Sequence, residues 1–267
     1  MKKIKFRSFS SGSCGNCYFL GIEEDGSIAS AILIDAGVSP KRIKKHLAEN
    51  SISPECLDAV LITHDHADHV RSLGSVCKHF KKTVWMPPQL RKALFTQPSC
   101  SAWLPACSAF LKDGWNQVAG SRISVRSFDV PHDATHTVGY AVCLDSEFRF
   151  VLITDCGKIT PQALAYASQA DCVVIESNYD LEMLRGGPYP KELQDRICGG
   201  HGHLSNAECA EAIRHFDHDG LRSVFLCHIS SHNNTPKLAF EASRGSLPPE
   251  KRLVPLPRET ASPMFDL

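Results

Sequence analysis

The hexapeptide His64-Asp65-His66-Ala67-Asp68-His69 places four potential metal ligands directly behind the apolar run Ala59-Val60-Leu61-Ile62-Thr63. The run reads as a buried strand. Alternation at its end sets His64 and His66 on one face, and a following helical turn brings Asp68 and His69 to a second point nearby. Neutral imidazoles and carboxylates suit Zn²⁺, Mn²⁺ or Fe²⁺, and the lack of thiolates argues against a closed structural zinc site. A single histidine after a strand is more often an incidental polar residue, but H-x-H-x-D-H is too dense for that reading. Three further strand ends carry the same residue types: His132 after Phe128-Asp-Val-Pro, Asp155 after Val151-Leu-Ile-Thr, and His228 after Phe225-Leu-Cys. Each alone reads as a cap or a stray side chain. Together they complete two metal sites, with Asp155 able to bridge both.

Elements must exist to carry these ends. Short runs rich in Val, Ile and Leu alternate with helical patterns, and Gly, Asp, Asn or Pro separates them. Strands are expected at 4–8, 17–22, 31–34, 59–63, 83–86, 123–128, 139–144, 148–154, 172–176, 223–227 and 253–256. Helices are expected at 41–49, 70–80, 89–95, 161–168, 206–216 and 236–243. Start signals include Ser39-Pro40, Thr160-Pro161, Thr235-Pro236 and Ser205 with Glu208 three residues on. The pattern indicates an α/β layered fold over residues 1–267 as a single domain, with 246–267 a loosely held tail carrying one last strand.

The chain has 267 residues, with 29 Lys+Arg balancing 29 Asp+Glu and a hydrophobic content of 43%. That is ordinary globular composition, and it excludes a disordered tail protein. Zero net charge excludes a molecule that draws nucleic acid as a whole, although local patches still can. The N-terminal run Met1-Lys-Lys-Ile-Lys-Phe-Arg7 has no apolar segment behind it, so no signal peptide is visible, and no run is long enough to span a membrane. The twelve cysteines then read as reduced thiols in a cytoplasmic protein. Cys14-Gly-Asn-Cys17, with no second pair nearby, reads as a tight turn rather than a metal or redox site.

These ordered residues resemble the metal motifs of the metallo-β-lactamase-fold hydrolases. The resemblance implies an αββα sandwich of two mixed β-sheets flanked by helices, with a dinuclear site at one sheet edge. Asp35, in Ala31-Ile-Leu-Ile-Asp-Ala-Gly37, matches the superfamily's leading aspartate, which orients metal-bound histidines. An Asp rather than a Cys at position 155 points away from the true β-lactamases. Ser10-Ser-Gly-Ser-Cys-Gly-Asn-Cys17, Glu176-Ser-Asn-Tyr-Asp180, Met183-Leu-Arg-Gly-Gly-Pro-Tyr-Pro190, Gly202-His-Leu-Ser-Asn206 and His228-Ile-Ser-Ser-His-Asn-Asn-Thr-Pro236 are similar to segments of the YycJ (WalJ) group. Cys14 and Tyr179 depart from that group, which often has Ser and His there. Membership implies a 5′-to-3′ exonuclease acting on double-stranded DNA.

On that expectation His64, His66 and His132 bind one ion, Asp68, His69 and His228 the other, and Asp155 both. The ions, Zn²⁺ or Mn²⁺ or alternatively Fe²⁺, hold a hydroxide for in-line attack on phosphorus. Asp68, Asp155 and His203 are the candidate catalytic residues, with His203 assisting the leaving alkoxide. Asp65 orients the nucleophile or a ligand histidine. Ser11, Gly12, Ser13, Gly15 and Asn16 have the small residues of an anion-binding nest, and equally of a plain turn. Ser205 and Asn233 are further candidates for phosphate contact. His46, His79, His201, His215 and His218 read as ordinary surface residues. Basic runs at Lys2, Lys3, Lys5 and Arg7, at 41–45, and at 78–82 usually mark solvated faces.

Competing functions are a small-molecule hydrolase of the same fold (a cyclic phosphodiesterase, thioesterase or lactonase), a non-catalytic nucleic-acid-binding scaffold, and a diiron redox protein. A closed apolar pocket would favour a small substrate and an open charged groove a polymer. The expected partner is DNA bound without sequence readout; no membrane association and no protein partner are deducible.

Overall fold

Residues along the central strands are apolar on both faces, so each sheet has to be covered twice. The computed structural model describes residues 2–267, which leaves Met1 of the basic N-terminal run outside it. The strands are β1 (Lys3–Ser10), β2 (Cys17–Glu24), β3 (Ser27–Ile34), β4 (Leu57–Leu61), β5 (Thr83–Met86), β6 (Ser108–Phe110) and β7 (Asn116–Gln117). They continue with β8 (Ile123–Asp129), β9 (Val138–Leu144), β10 (Phe148–Ile153), β11 (Cys172–Glu176), β12 (Ser223–Cys227), β13 (Arg252–Pro255) and β14 (Phe265–Asp266). The helices are α1 (Pro40–Ala48), α2 (Ala67–Val70), α3 (Leu73–Phe80), α4 (Arg91–Thr96) and α5 (Leu104–Cys107). After them come α6 (Pro161–Ala167), α7 (Leu181–Gly186), α8 (Lys191–Ile197), α9 (Asn206–Phe216) and α10 (Pro236–Arg244).

Two seven-stranded sheets run in the orders β14-β1-β2-β3-β4-β5-β6 and β13-β12-β11-β10-β9-β8-β7. Both are mixed. β1, β2 and β3 pair antiparallel while β3 through β6 pair parallel; β7 through β10 pair antiparallel while β10 through β13 pair parallel. Alternation sorts the apolar residues into three cores. Ile32, Ile34 and Leu61 meet Tyr140, Phe150 and Val174 between the sheets. Leu33, Val60 and Ile62 pack outward on Ile43 and Leu47 of α1 and Val76 of α3. Val151, Ile153 and Val173 pack outward on Ala163 of α6, Ile213 of α9 and Ala239 of α10. The result is the expected αββα sandwich.

The main strands stand where the sequence puts them, with β3 starting four residues earlier than expected; β4 stops at Leu61, so His64 and His66 lie in a loop rather than at a strand's alternating end. The expected helix 70–80 is split into α2 and α3, because the Ser72 N–H leaves the helix ladder and donates to the Ala36 carbonyl at 3.1 Å. The short elements β6, β7, β14, α5, α7 and α8 carry too few residues to show a period. Residues 246–267 hold two strands, one in each sheet: β13 extends one, and β14 pairs with β1 in the other. His46 is buried against Phe9 and Glu49 and is not a surface residue. Cys14 is exposed and Cys17 is buried in β2, which leaves the turn reading of that pair. Lys2, Lys5 and Arg7 are engaged with Asp145, Asp266 and Glu49. Among the described residues no helix is long and apolar enough to cross a membrane.

Candidate metal centre

The loops after β3, β4, β8, β10 and β12 converge at one edge of the sandwich. Asp35 leaves β3 with φ of 63°, Asp155 leaves β10 with φ of 49°, and His228 leaves β12 with φ of 51°. Left-handed backbone at non-glycine residues is costly, and here it turns three strand ends sharply at the site, where such strain tends to collect. Asp35 is fully buried. Its carboxylate accepts from the Thr63 N–H at 2.9 Å, from the Thr63 hydroxyl, and from His69 Nδ1 at 2.7 Å. The His69 ring is thereby fixed with Nε2 at 3.1 Å from Asp155 and 3.5 Å from Asp68.

Seven predicted ligands meet. His64, His66 and His132 bring ligand atoms within 4.8 Å of one another; so do Asp68, His69 and His228, and so do His64, His69 and Asp155. Asp155 lies between the histidine sets, 3.8 Å from His132 and 3.5 Å from His228 through Oδ1. His132 donates from Nδ1 to the Gly202 carbonyl at 2.7 Å, leaving Nε2 at 3.2 Å from His66 Nδ1. The buried Nε2 of His64 has no hydrogen-bond partner in the protein. An orphaned buried imidazole nitrogen aimed at other imidazoles is what a ligand looks like without its ion. The nitrogen and oxygen donors fit a divalent metal.

Burial and neighbouring charges act differently on the members of the cluster. Burial, with His69 beside it, holds His64 well below the usual histidine range, in the neutral form a ligand needs. Burial would raise Asp155, but His228 and His69 outweigh it and keep the carboxylate ionised. Burial would lower His69, yet Asp155 and Asp35 push it up to about 10. Burial likewise opposes His228, and Asp155, Asp68 and Glu176 carry it well upward.

Glu176, at the end of β11, is a central residue whose role the sequence reading missed. It is fully buried. Its Oε1 lies 2.8 Å from His203 Nδ1 and 3.0 Å from His228 Nδ1, and its Oε2 accepts from the Cys156 and Leu204 N–H groups. Burial raises it, but the two imidazoles bring it down to about 2. The available signal was an acidic residue closing an apolar strand, the same signal that marks Asp155. Asn178, also passed over, donates to the His228 carbonyl at 2.8 Å.

The remaining candidates divide. His203 faces the site with its ring 5.1 Å from that of His132. Asp65 does not orient a ligand histidine: its carboxylate receives the Thr135 N–H and hydroxyl and ties two site loops together. The 11–16 segment is a turn, and its Ser11, Gly15 and Asn16 N–H groups are engaged by the Arg258, Gly12 and Asp68 carbonyls. The Ser11 hydroxyl bonds Tyr18 and the His228 N–H. Asn16 Nδ2 lies 3.0 Å from the Asp68 carboxylate, so this residue positions Asp68. Ser13 and Asn233 line the 310 Å³ pocket over the centre. Ser205 is occupied as the cap of α9, with Glu208.

Gly37 is where these parts touch. A Cβ there would lie 1.8 Å from the Asp68 carbonyl oxygen and 2.5 Å from Asn16 N. Gly37→Ala is therefore expected to displace Asp68. It should lower metal content, measured by elemental analysis, and cost about 3 kcal/mol of stability in thermal unfolding. Chelation of the intact protein should lower Tm by about 5–10 °C, the change expected when a ligand held at about 100 times its Kd is lost.

A family model described as the Beta-lactamase superfamily domain matches residues 30–229. The chain is 33% identical over 88% of its length to Exodeoxyribonuclease WalJ of Streptococcus pneumoniae, covering 85% of that protein. It is 29% identical to Exodeoxyribonuclease YycJ of Bacillus anthracis, covering 88% of this chain and 86% of that one. In fold it is similar to Zn²⁺-bound PqqB of Methylobacterium extorquens, with a TM-score of 0.70, 17% identity and coverage of 98% and 100% of the two chains. The chain belongs to the beta-lactamase superfamily, as a metal-dependent hydrolase of that fold.

Proposed function

We propose that the protein is a phosphodiester hydrolase that removes nucleotides 5′-to-3′ from double-stranded DNA. One observation carries this: the seven predicted ligands, Asp155 among them, gather in one cluster in a chain 33% identical to a protein named an exodeoxyribonuclease. In this reading His64, His66 and His132 hold one ion, Asp68, His69 and His228 a second, and Asp155 both, with Zn²⁺, Mn²⁺ or Fe²⁺ as the metal. Bound ions would lower the pKa of an attacking water and neutralise the phosphoryl oxygens.

The chain's own groups do the rest. Glu176 holds His203 by Nδ1, so that Nε2 is the atom that gives a proton to the leaving alkoxide. Burial opposes protonation of His203, but the Glu176 charge raises its pKa, which favours the acid form. Ser13 and Asn233 line the pocket, and in this reading the Ser13 hydroxyl and the Asn233 Nδ2 donate to the substrate phosphate. DNA is bound through its backbone, without sequence readout. Residues 1–267 act as one unit, since the segment 246–267 contributes a strand to each sheet. The twelve unpaired thiols support a cytoplasmic setting.

The test is hydrolysis of 5′-phosphorylated, end-labelled duplex DNA with Mn²⁺, beside a His64→Ala control. Progressive shortening from the 5′ end, absent in the control, is the expected result. The size of the pocket favours one second reading, a small phosphodiester substrate. Hydrolysis of bis(p-nitrophenyl) phosphate without DNA cleavage would select it.

A further inference from the structure

The pocket above the metal centre has two kinds of wall. One is the polar cluster itself; the other is formed by Tyr189, Leu193 and Ile197, from α8 and the residues just before it, with Ile229 also lining the pocket. This second wall is held firmly to the site. The Ile197 carbonyl accepts the His203 N–H at 2.8 Å, and Gln194 donates to the Tyr189 carbonyl at 2.9 Å. Arg196 pairs with Asp133, beside the ligand His132. Gly202 permits the close approach, since a Cβ there would lie 2.2 Å from the Ile197 carbonyl oxygen. Leu193, Ile197 and Tyr189 are half-buried, so their apolar surface is offered to the pocket rather than spent in the core. The Tyr189 ring rests near His232, with centroids 5.9 Å apart.

A volume of 310 Å³ lies at the small end of ligand pockets, which span about 300–1,000 Å³. That is room for one nucleotide and not for a base pair. Apolar and aromatic side chains beside a hydrolytic centre suit the face of a base, which stacks without regard to its identity. We infer that Tyr189, Leu193 and Ile197 receive the base of one terminal nucleotide, so that the end of the duplex must unpair before its phosphodiester reaches the metal centre. This rests on the nuclease reading and deepens it. The wall makes the enzyme act from ends, and it makes end stability a determinant of rate. Unpairing costs least at a mismatched position, so the first nucleotide should leave faster there.

The experiment compares first-nucleotide release from duplexes ending in a G·C pair and in a mismatch, using the unaltered holoenzyme. A mismatch is expected to speed release about tenfold. In parallel, Tyr189→Ala with Leu193→Ala should lower kcat/KM on paired-end duplex about tenfold and abolish the advantage of the mismatched end, with metal per chain and Tm as the controls for folding. Equal rates from both ends, or a double variant with parental kcat/KM on DNA, would overturn the wall's role while leaving the nuclease intact. A parent that hydrolyses bis(p-nitrophenyl) phosphate but no DNA would remove the nuclease reading and this inference together.

Discussion

Asp155→Asn is expected to lower phosphodiester hydrolysis about 1,000-fold or more and to reduce metal bound per chain. Asp155 lies against both histidine sets, 3.1 Å from His69 and 3.8 Å from His132. It is 2% exposed, so its charge is set by these neighbours rather than by bulk solvent. Asparagine keeps the shape and tolerates the left-handed backbone at this position, where φ is 49°. What it loses is the charge that offsets the surrounding imidazoles and any bound cation, and a loss of several kcal/mol of transition-state stabilisation is a factor of about 1,000. Metal analysis and kcat on the same sample check this together. Parental turnover with undiminished metal would remove Asp155 from the bridging role.

Glu176→Gln is expected to cost about 100-fold in kcat. The carboxylate touches no substrate in the proposed arrangement; it acts through His203 and His228, which it holds at 2.8 and 3.0 Å. Groups that orient metal ligands typically contribute 10- to 100-fold, and in the proposed arrangement this one orients a ligand and a proton donor at once. A purely structural role would predict effects that add. The positioning role predicts that His203→Gln and Glu176→Gln combine to much less than the product of their separate effects, because each removes the same donor geometry. A double-mutant cycle on kcat, with Tm as the control for folding, separates the two cases.

The chemistry of this protein was legible in its sequence because ligand identity is local. A dense H-x-H-x-D-H cannot be explained by packing, and acids or histidines closing apolar runs at Asp155, His132 and His228 stand out against their neighbours. The sandwich was legible for a similar reason: runs such as Phe150–Ile153 and Cys172–Ile175 are apolar at every residue, which only a strand covered on both faces requires. Caps at Ser39, Thr160, Ser205 and Thr235 fixed helix starts through side-chain hydrogen bonds of one turn's reach.

What the tertiary structure decided lies in relations between distant segments. Glu176 reads as the end of a strand until His203 and His228, brought in from 27 and 52 residues away, settle on its one free oxygen. The turn at residues 11–16 has the composition of an anion nest, yet its Ser11, Gly15 and Asn16 N–H groups are spent on Arg258, Gly12 and Asp68, and Gly37 lets that turn press against the Asp68 carbonyl. Asp65, next to two ligands in sequence, is drawn away by Thr135. The short α8 carries no periodic signal, and only its attachment at His203 and Asp133 makes it a wall of the site. Residue type and spacing thus determine which atoms can bind a metal, whereas which donors remain free to do so depends on hydrogen bonds that form only when the loops of both sheets meet at one edge.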